Sequence, residues 1–507
     1  MSDLVSSSSL WAEYETSDIG ELAEPLAAPL IQSLRAFGYD LPTAIADLID
    51  NSISAKAKNI WVTFHWSGAK SYIAIADDGQ GMAEASLVNA MRPGSQNPLE
   101  KRDPADLGRF GLGLKTASFS QCARLTVGTK SSGALLAVRA WDLDYVAIRG
   151  EWRLLRGGTP AFHRSWERLQ GLNSGTLVLW EKMDRVVAGT VADSEGDQRR
   201  FLERVDEVRE HLAMVFHRFL EGRGALKLWI NGTRVKPWDP FLTDVIATRL
   251  LTDQNLPIFG TQMQVKPYLL PHHSKLTGEA YAAAAGPRGW TAQQGFYVYR
   301  NKRLLAAGDW LGLGLRKEDH FKLARIQLDI PNSMDAEWEI DVKKSRASPP
   351  ASIRNKLRHL AELTRRDARA IYRHRGAPLV KGAPELKRLW NQKILHGRIS
   401  YEVSRDFPLV EDLLAMGGDV KRKVQALLEL IEETVPVPQI LIDGSENPDK
   451  HTRPFEQKPA SRLPEVLKEM YQTLLHTGLS PTGAKLRLAA LEPFNHYPEL
   501  LAILDEE

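Results

Sequence analysis

Residues 71–82 read SYIAIADDGQGM, an apolar strand-like run followed at once by Asp77-Asp78-Gly79-Gln80-Gly81-Met82. Aromatic and β-branched residues ending at glycines predict a strand and a turn. A carboxylate at the strand end, Asp77, can accept a hydrogen bond from an exocyclic amine, and Gly79 and Gly81 let the backbone approach a flat ligand closely. By itself Asp-x-Gly-x-Gly reads equally well as a tight turn, so its neighbours decide.

Toward the N-terminus, residues 60–66 (IWVTFHW) form a second strand-like run separated by Gly68, and the two predict a hairpin. Before them, residues 25–37 and 43–54 carry apolar side chains at helical spacing, the latter at Ile45, Leu48, Ile49 and Ile53, with Pro42 suited to a helix start. Within this helix residues 47–55 read DLIDNSISA. Four positions apart, Asp47 and Asn51 share one face, where an acid can activate a water and a carboxamide can hold a magnesium ion bound to phosphate oxygens. Solvated acidic residues on a helix give the same pattern.

Toward the C-terminus, residues 108–115 read GRFGLGLK before the helix-compatible TASFSQ. Gly108, Gly111 and Gly113 ahead of a helix expose unpaired N–H groups that can cradle phosphate, although a non-binding loop has this composition too. The Gly-x-x-Gly-x-Gly spacing is neither the dinucleotide-binding pattern nor a P-loop. Between the two motifs, residues 83–107 include a polar, Pro-interrupted stretch of the kind that forms a mobile lid. Strands are predicted at 125–129, 135–142 and 176–181, so a helix followed by several strands gives an α+β sandwich.

The chain has 507 residues, 43% hydrophobic and 25% charged, which predicts several domains of an ordinary soluble protein. It holds no apolar run of the roughly 18–20 residues that span a bilayer, and residues 1–15 lack a signal-peptide pattern, so a cytoplasmic location without membrane contact is expected. The single cysteine, Cys122, reads as a small buried hydrophobe. The 13 histidines include the pair His272-His273 but suggest no metal cluster, and His211 and His217 read as ordinary helix residues.

In this order, the acid-and-Asn helix, the strand with Asp-x-Gly-x-Gly, the lid, Gly-x-x-Gly-x-Gly, and Gly175-Thr176 opening a strand resemble the GHKL, or Bergerat, ATP-binding fold of gyrase B, MutL and MORC ATPases. DLIDNSISAKAKNIWV looks like MutL, while GRFGLGLKTAS and GTLVLWEKMD look closer to MORC and its prokaryotic relatives. The resemblance covers residues 26 to about 184. It implies ATP and Mg2+ as cofactors, with Asp47 as general base and Asn51 holding magnesium. Asp77 would accept from the adenine amino group, Met82 would line the base pocket above Gly79 and Gly81, and Thr176 would support adenine through water. Gly108, Gly111 and Gly113 would wrap the phosphates, assisted by Lys115. The family usually has Glu where this chain has Asp47, and the shorter acid reaches about 1.5 Å less far. Binding is therefore a safer expectation than hydrolysis.

The division expected is a flexible arm (1–24), the ATP-binding domain (25–190), a transducer-like α/β domain (191–350), a basic helical region (351–434), a linker (435–464) and C-terminal helices (465–507). Residues 225–241 and 295–305 resemble transducer strands. In relatives the transducer brings a lysine to the γ-phosphate. Within EIDVKKSRASPP (339–350) Lys344 fits that role, with Lys343 beside it, although a solvated basic turn reads the same.

Residues 352–398 hold thirteen basic and three acidic side chains in a chain whose net charge is only +3. Arg354, Arg358, Arg365, Arg369 and Arg373 lie in this segment, most of them at spacings that align along a helix, and such a face can bind DNA or RNA phosphates, as it can simply be solvated. The C-terminal helices are amphipathic and offer a surface for a protein partner. The resemblance implies an ATPase whose lid closure and homodimerisation control a DNA-linked process, of the kind found in prokaryotic defence or restriction-type systems. A chaperone-like ATPase acting on proteins and an ATP-dependent scaffold with little hydrolysis are the alternatives. Histidine kinase activity is disfavoured because residues 1–40 contain no histidine.

Overall fold

The computed structural model describes residues 25–36, 38–94, 113–258, 261–331, 334, 337–340, 347–372, 387–395, 398–440 and 462–505. The chain divides into two compact units, residues 1–316 with 323–365, and residues 317–322 with 366–507.

The first unit begins with α1 (Ala27–Arg35) and α2 (Leu41–Ser54). The Asp40 carboxylate caps α2 by accepting from the Thr43 N–H at 2.8 Å, and Pro42 fills its first turn, where no N–H is needed. Ile45 and Ile49 of α2 are wholly buried, each worth roughly 1.5–3 kcal/mol of apolar transfer. Next come β1 (Asn59–His65) and β2 (Tyr72–Asp77), an antiparallel pair with Ile60 opposite Asp77. They are followed by α3 (Glu84–Met91), α4 (Gly113–Phe119), β3 (Arg124–Lys130), β4 (Ala137–Asp142), α5 (Leu143–Arg149), β5 (Leu155–Arg156), α6 (Pro160–Trp166) and β6 (Gly175–Glu181). Then α7 (Glu195–Val215), α8 (His217–Leu220), β7 (Lys227–Ile230) and β8 (Thr233–Arg234) complete an eight-stranded sheet ordered β5-β4-β3-β6-β2-β1-β7-β8.

Side-chain parity sorts the two faces of this sheet. Ile60, Val62 and Phe64 of β1 and Ile73 and Ile75 of β2 enter the main core with α1, α2 and α7. Tyr72, Ala74 and Ala76 face the other way, against Phe162 and Trp166 of α6. Asp77 continues the parity of Ile73 and Ile75, which turns its carboxylate toward the helical layer.

β7 pairs in parallel with β1, so the strand ending at Asn231-Gly232 extends the first sheet, not the second. The second sheet holds β9 (Arg249–Leu250), β10 (Gln254–Ile258), β11 (Thr261–Leu269), β12 (Gly295–Arg300), β13 (Arg303–Asp309) and β14 (Ala324–Ile330), in the order β10-β11-β14-β12-β13 with β9 on β11. Two short helices, α9 (Gly278–Ala285) and α10 (Gly289–Ala292), precede β12. Asn301 and Lys302 both take positive φ, 46° and 69°, the two-residue turn whose twist suits the β12–β13 hairpin.

Polar side chains join α8 and α2 to the second sheet. His217 Nε2 lies 2.8 Å from the Tyr299 hydroxyl, and Arg218 donates to Asp329 at 2.5 Å while its guanidinium stacks 3.6 Å from the Tyr299 ring centre. Arg303 Nε donates to Asp50 of α2 at 2.9 Å.

After the second sheet, α11 runs Ala351–Tyr372. The second unit holds an antiparallel hairpin, β15 (Trp390–Leu395) with β16 (Arg398–Val403). It also has α12 (Pro408–Ala415), α13 (Gly418–Glu433), α14 (Leu463–His476), α15 (Pro481–Ala489) and α16 (Pro498–Ala502). Its core includes Phe407, Leu467, Met470, Leu488 and Phe494. The region is mostly helical, as expected, but the hairpin falls inside the segment read as a basic helix. The alternation of Ile399, Tyr401 and Val403 is the period-two signal that the density of charge obscured.

Candidate functional site

The α2 motif, the Asp77 turn and the described end of the third motif, Gly113 to Lys115, come together on the helical side of the first sheet. Asp77 is 5% exposed at the end of β2. Its Oδ2 accepts from the Ser52 hydroxyl of α2 at 2.8 Å, and its Oδ1 accepts from the Gly79 N–H at 2.9 Å. Burial pushes its carboxyl up to about 6, held from rising further by the Gly79 and Ser52 donors. A carboxylate so dehydrated is a strong acceptor for a donor that reaches it.

The turn after Asp77 is shaped by close backbone approach. Gly81 has φ +63°, and a Cβ there would stand 2.0 Å from the Lys130 carbonyl oxygen, so only glycine fits. At the start of β6, a Cβ on Gly175 would lie 2.5 Å from the Asp77 carbonyl oxygen, which explains glycine immediately before Thr176. Thr176 sits opposite Asp77 in the β2–β6 ladder. The Thr129 hydroxyl accepts from the Met82 N–H at 2.9 Å, donates to the Gly175 carbonyl at 3.2 Å and lies 3.0 Å from the Thr176 hydroxyl. Met82 and Thr176 are thus tied to one side chain.

Midway along α2, Asp47 is 4% exposed and its Oδ2 accepts from the Tyr39 hydroxyl at 2.9 Å. A Cβ built on Gly113 would point to within 3.8 Å of that same oxygen, so the first residue of α4 stands over the Asp47 carboxylate. Asn51, one turn further along α2, is exposed. Lys115 is buried, its Nζ donates to the Ala90 carbonyl at 2.9 Å, and burial pulls its ammonium down to about 8. In this arrangement it ties α4 to the end of α3. Gly108, Gly111, lid residues 95–107, Lys343 and Lys344 lie outside the described residues.

Ser52, Thr129 and Tyr39 escaped the sequence reading. Ser52 stands next to Asn51 in the quoted motif, but a lone hydroxyl carries no signal of its own.

A cavity of about 380 Å³ lies on the opposite face of the sheet, between Trp61, Ala74 and Ala76 and the arginines Arg164 and Arg168, away from these motifs. Among the described residues no group of three or more His, Cys, Asp or Glu is placed to hold a metal. Magnesium at a nucleotide site needs no such cage, because phosphates and waters supply most of its oxygens and one or two protein oxygens suffice. The exposed Asn51 carboxamide beside Asp47 fits that requirement. Burial pushes His211 and His217 down to about 4 and the Cys122 thiol up, in keeping with structural roles.

The basic stripe of α11 is largely engaged. Arg354 donates to the Gly312 carbonyl, Arg358 pairs with Glu362 at 3.1 Å, and Arg365 donates to the Arg316 carbonyl while lying over Trp310. Arg369 lies over Phe321. Arg373 is outside the described residues. No helix among the described residues is long and apolar enough to cross a membrane.

Residues 39–176 match the family described as histidine kinase-, DNA gyrase B-, and HSP90-like ATPase. The chain is 30% identical over 96 residues to the ATPase morc-1 of Caenorhabditis elegans, covering 19% of this chain and 11% of that protein. It is 32% identical over 102 residues to the DNA mismatch repair protein MutL of Rhodopseudomonas palustris, 20% of this chain and 16% of that one. A second MutL, from Rhodospirillum rubrum, is 31% identical over 93 residues, 18% and 15% of the two chains. The matched stretch therefore spans less than a fifth of these relatives. This chain carries a GHKL ATPase domain, with weak homology to MORC and MutL.

Proposed function

We propose that this protein binds ATP with Mg2+ and hydrolyses it, and that lid closure and homodimerisation on ATP couple the cycle to a DNA-linked process. The observation that carries the reading is the buried Asp77 carboxylate, held by Ser52 and Gly79 inside a domain of the ATPase family. In it, Asp77 accepts from the adenine amino group, Met82 and the Gly79–Gly81 turn line the base, and Thr176 supports it through water. Gly108, Gly111 and Gly113 surround the phosphates, with Lys115 near them once it leaves the Ala90 carbonyl. Lys344, or its neighbour Lys343, reads the terminal phosphate.

Asp47 orients and deprotonates the attacking water, and Tyr39 holds its carboxylate in place. Asn51 would hold magnesium, which when bound neutralises charge on the phosphates. The DNA link is drawn from the relatives, whose names include DNA mismatch repair. Nucleic-acid contact would use Arg354, Arg358, Arg365, Arg369 and Arg373, because a planar guanidinium matches the geometry of phosphate oxygens. A role in prokaryotic defence or restriction belongs to the same reading, as do a protein partner on the C-terminal helices and a cytoplasmic location.

The decisive experiment is ATP binding by Asp77→Asn. The amide places a donor against the adenine amine, so binding should fall by about two orders of magnitude or more, in line with ~1–3 kcal/mol for an unsatisfied buried group plus the lost bond. Equal binding by Asp77→Asn and wild type sinks the adenine assignment. A scaffold that binds ATP with little hydrolysis is the second reading, favoured by the short Asp47 side chain already engaged by Tyr39.

A further inference from the structure

Asp50 and Arg303 are separated by 253 positions, yet their side chains are 1% and 2% exposed and meet at 2.9 Å. Arg303 opens β13 immediately after the tight Asn301-Lys302 turn. Its Nη1 donates to the Leu304 carbonyl at 2.6 Å, and its guanidinium lies 4.7 Å from the Phe216 ring centre. The fork is therefore held at the start of β13 and aimed at α2.

Dehydrating two charges costs about as much as their attraction returns, so such a pair adds little stability beyond what packed apolar residues would give. Its use is to fix register. Asp50 stands three positions after Asp47 and one before Asn51, on the same short helix. Any turn or slide of α2 that moved Asp50 would carry the Asp47 carboxylate and the Asn51 carboxamide with it. Conversely, a shift of α2 when nucleotide fills the site would pull on Arg303 and so on the β12–β13 hairpin.

We infer that Arg303 is a positioning residue: through Asp50 it sets α2 for chemistry at the phosphate end and makes the second sheet respond to nucleotide. This rests on the ATP-binding reading above. The Asp77 carboxylate is held by Ser52 and Gly79 and not by this pair, so affinity should fall much less than the response. The neighbouring Arg218–Asp329 junction reaches the second sheet without touching α2 and serves as a control.

The test is hydrogen exchange across residues 295–309 of the full chain, with and without a non-hydrolysable ATP analogue, alongside analogue affinity and ATP turnover. Wild type binds and its hairpin amides change protection. The double variant Asp50→Asn with Arg303→Met removes both charges at once, so neither is left buried and unpaired. It is expected to fold and keep most of its affinity for the analogue, to lose the hairpin response, and to turn over about tenfold or more slowly, the scale of a small misplacement of reacting groups. Arg303→Lys, which keeps the charge without the fork, should recover part of both, and Arg218→Gln should keep the response.

A double variant that responds like wild type overturns the inference. So does one that loses binding together with response, or a control that loses the response equally. Wild type that binds without any hairpin response overturns it alone, whereas wild type that does not bind ATP sinks the functional reading first.

Discussion

The Ser52 hydroxyl donates to Asp77 at 2.8 Å across 25 positions of sequence. This bond joins the helix that carries Asp47 and Asn51 to the strand end that would grip the base. With Gly79 on the other carboxylate oxygen, both oxygens are oriented before any ligand arrives. Preorganisation of this kind lowers the cost of binding, because the acceptor need not be ordered afterwards.

Replacing Ser52 with Ala tests that link. Hydrogen bonds to charged groups contribute about 1.5–3 kcal/mol, so Ser52→Ala should weaken ATP binding by roughly tenfold or more. The Asp77 carboxyl should also rise further, since one of the donors that hold it down is gone. Titration calorimetry at a fixed pH of about 7 reads the first effect. An affinity equal to wild type would show that Ser52 does not order the acceptor.

The titration of Asp77 predicts a pH dependence with a definite sign. Its carboxyl is raised from 3.8 to about 6, so between those values the folded protein binds more protons than the unfolded chain. Stability from this group is therefore lost as pH rises through that window, while the anionic acceptor is completed only above about 6. Adenosine is the suitable probe because it has no phosphate titrating nearby. Its affinity should climb as pH passes 6 and level off above 7, and the climb should vanish in Asp77→Asn. A flat profile in wild type would mean that the carboxylate is not the group adenine meets.

Much of the first sheet is legible in the sequence because its signals are local. The strands before Asp77 and after Gly175 announce themselves by composition, and Pro42 with the Ile45–Ile49 spacing marks α2 within one turn of its observed start. Gly81 and Gly175 are legible as glycines, but the carbonyls that exclude a side chain from them are visible only in the fold. Tyr39, Thr129 and Ser52 each act through one hydroxyl on a partner that no periodicity points to. The Asp50–Arg303 pair spans 253 positions, and β7 joins β1 by a parallel pairing between segments far apart in the sequence. Such contacts are set by packing, which one sequence does not display. The β15–β16 hairpin was obscured for a different reason, since dense Lys and Arg favour a helical reading even where the apolar period is two.

Asp47 decides between hydrolysis and a scaffold. Its carboxylate is buried, accepts from Tyr39 and faces the first residue of α4, the position from which a water beside the phosphates would be activated. General-base catalysis contributes about 10²- to 10⁴-fold, so Asp47→Ala should cut phosphate release by that range while nucleotide affinity stays near that of wild type. Asp47→Glu extends the acid by about 1.5 Å, the length of one carbon–carbon bond. If the short side chain limits turnover, this variant should exceed wild type in kcat, with its Kd for a non-hydrolysable analogue unchanged. Steady-state phosphate release and analogue binding, measured on the same preparations, separate the two effects. Turnover in Asp47→Ala equal to wild type removes the general-base role, and wild type that binds ATP but releases phosphate no faster than Asp47→Ala leaves the scaffold as the working description.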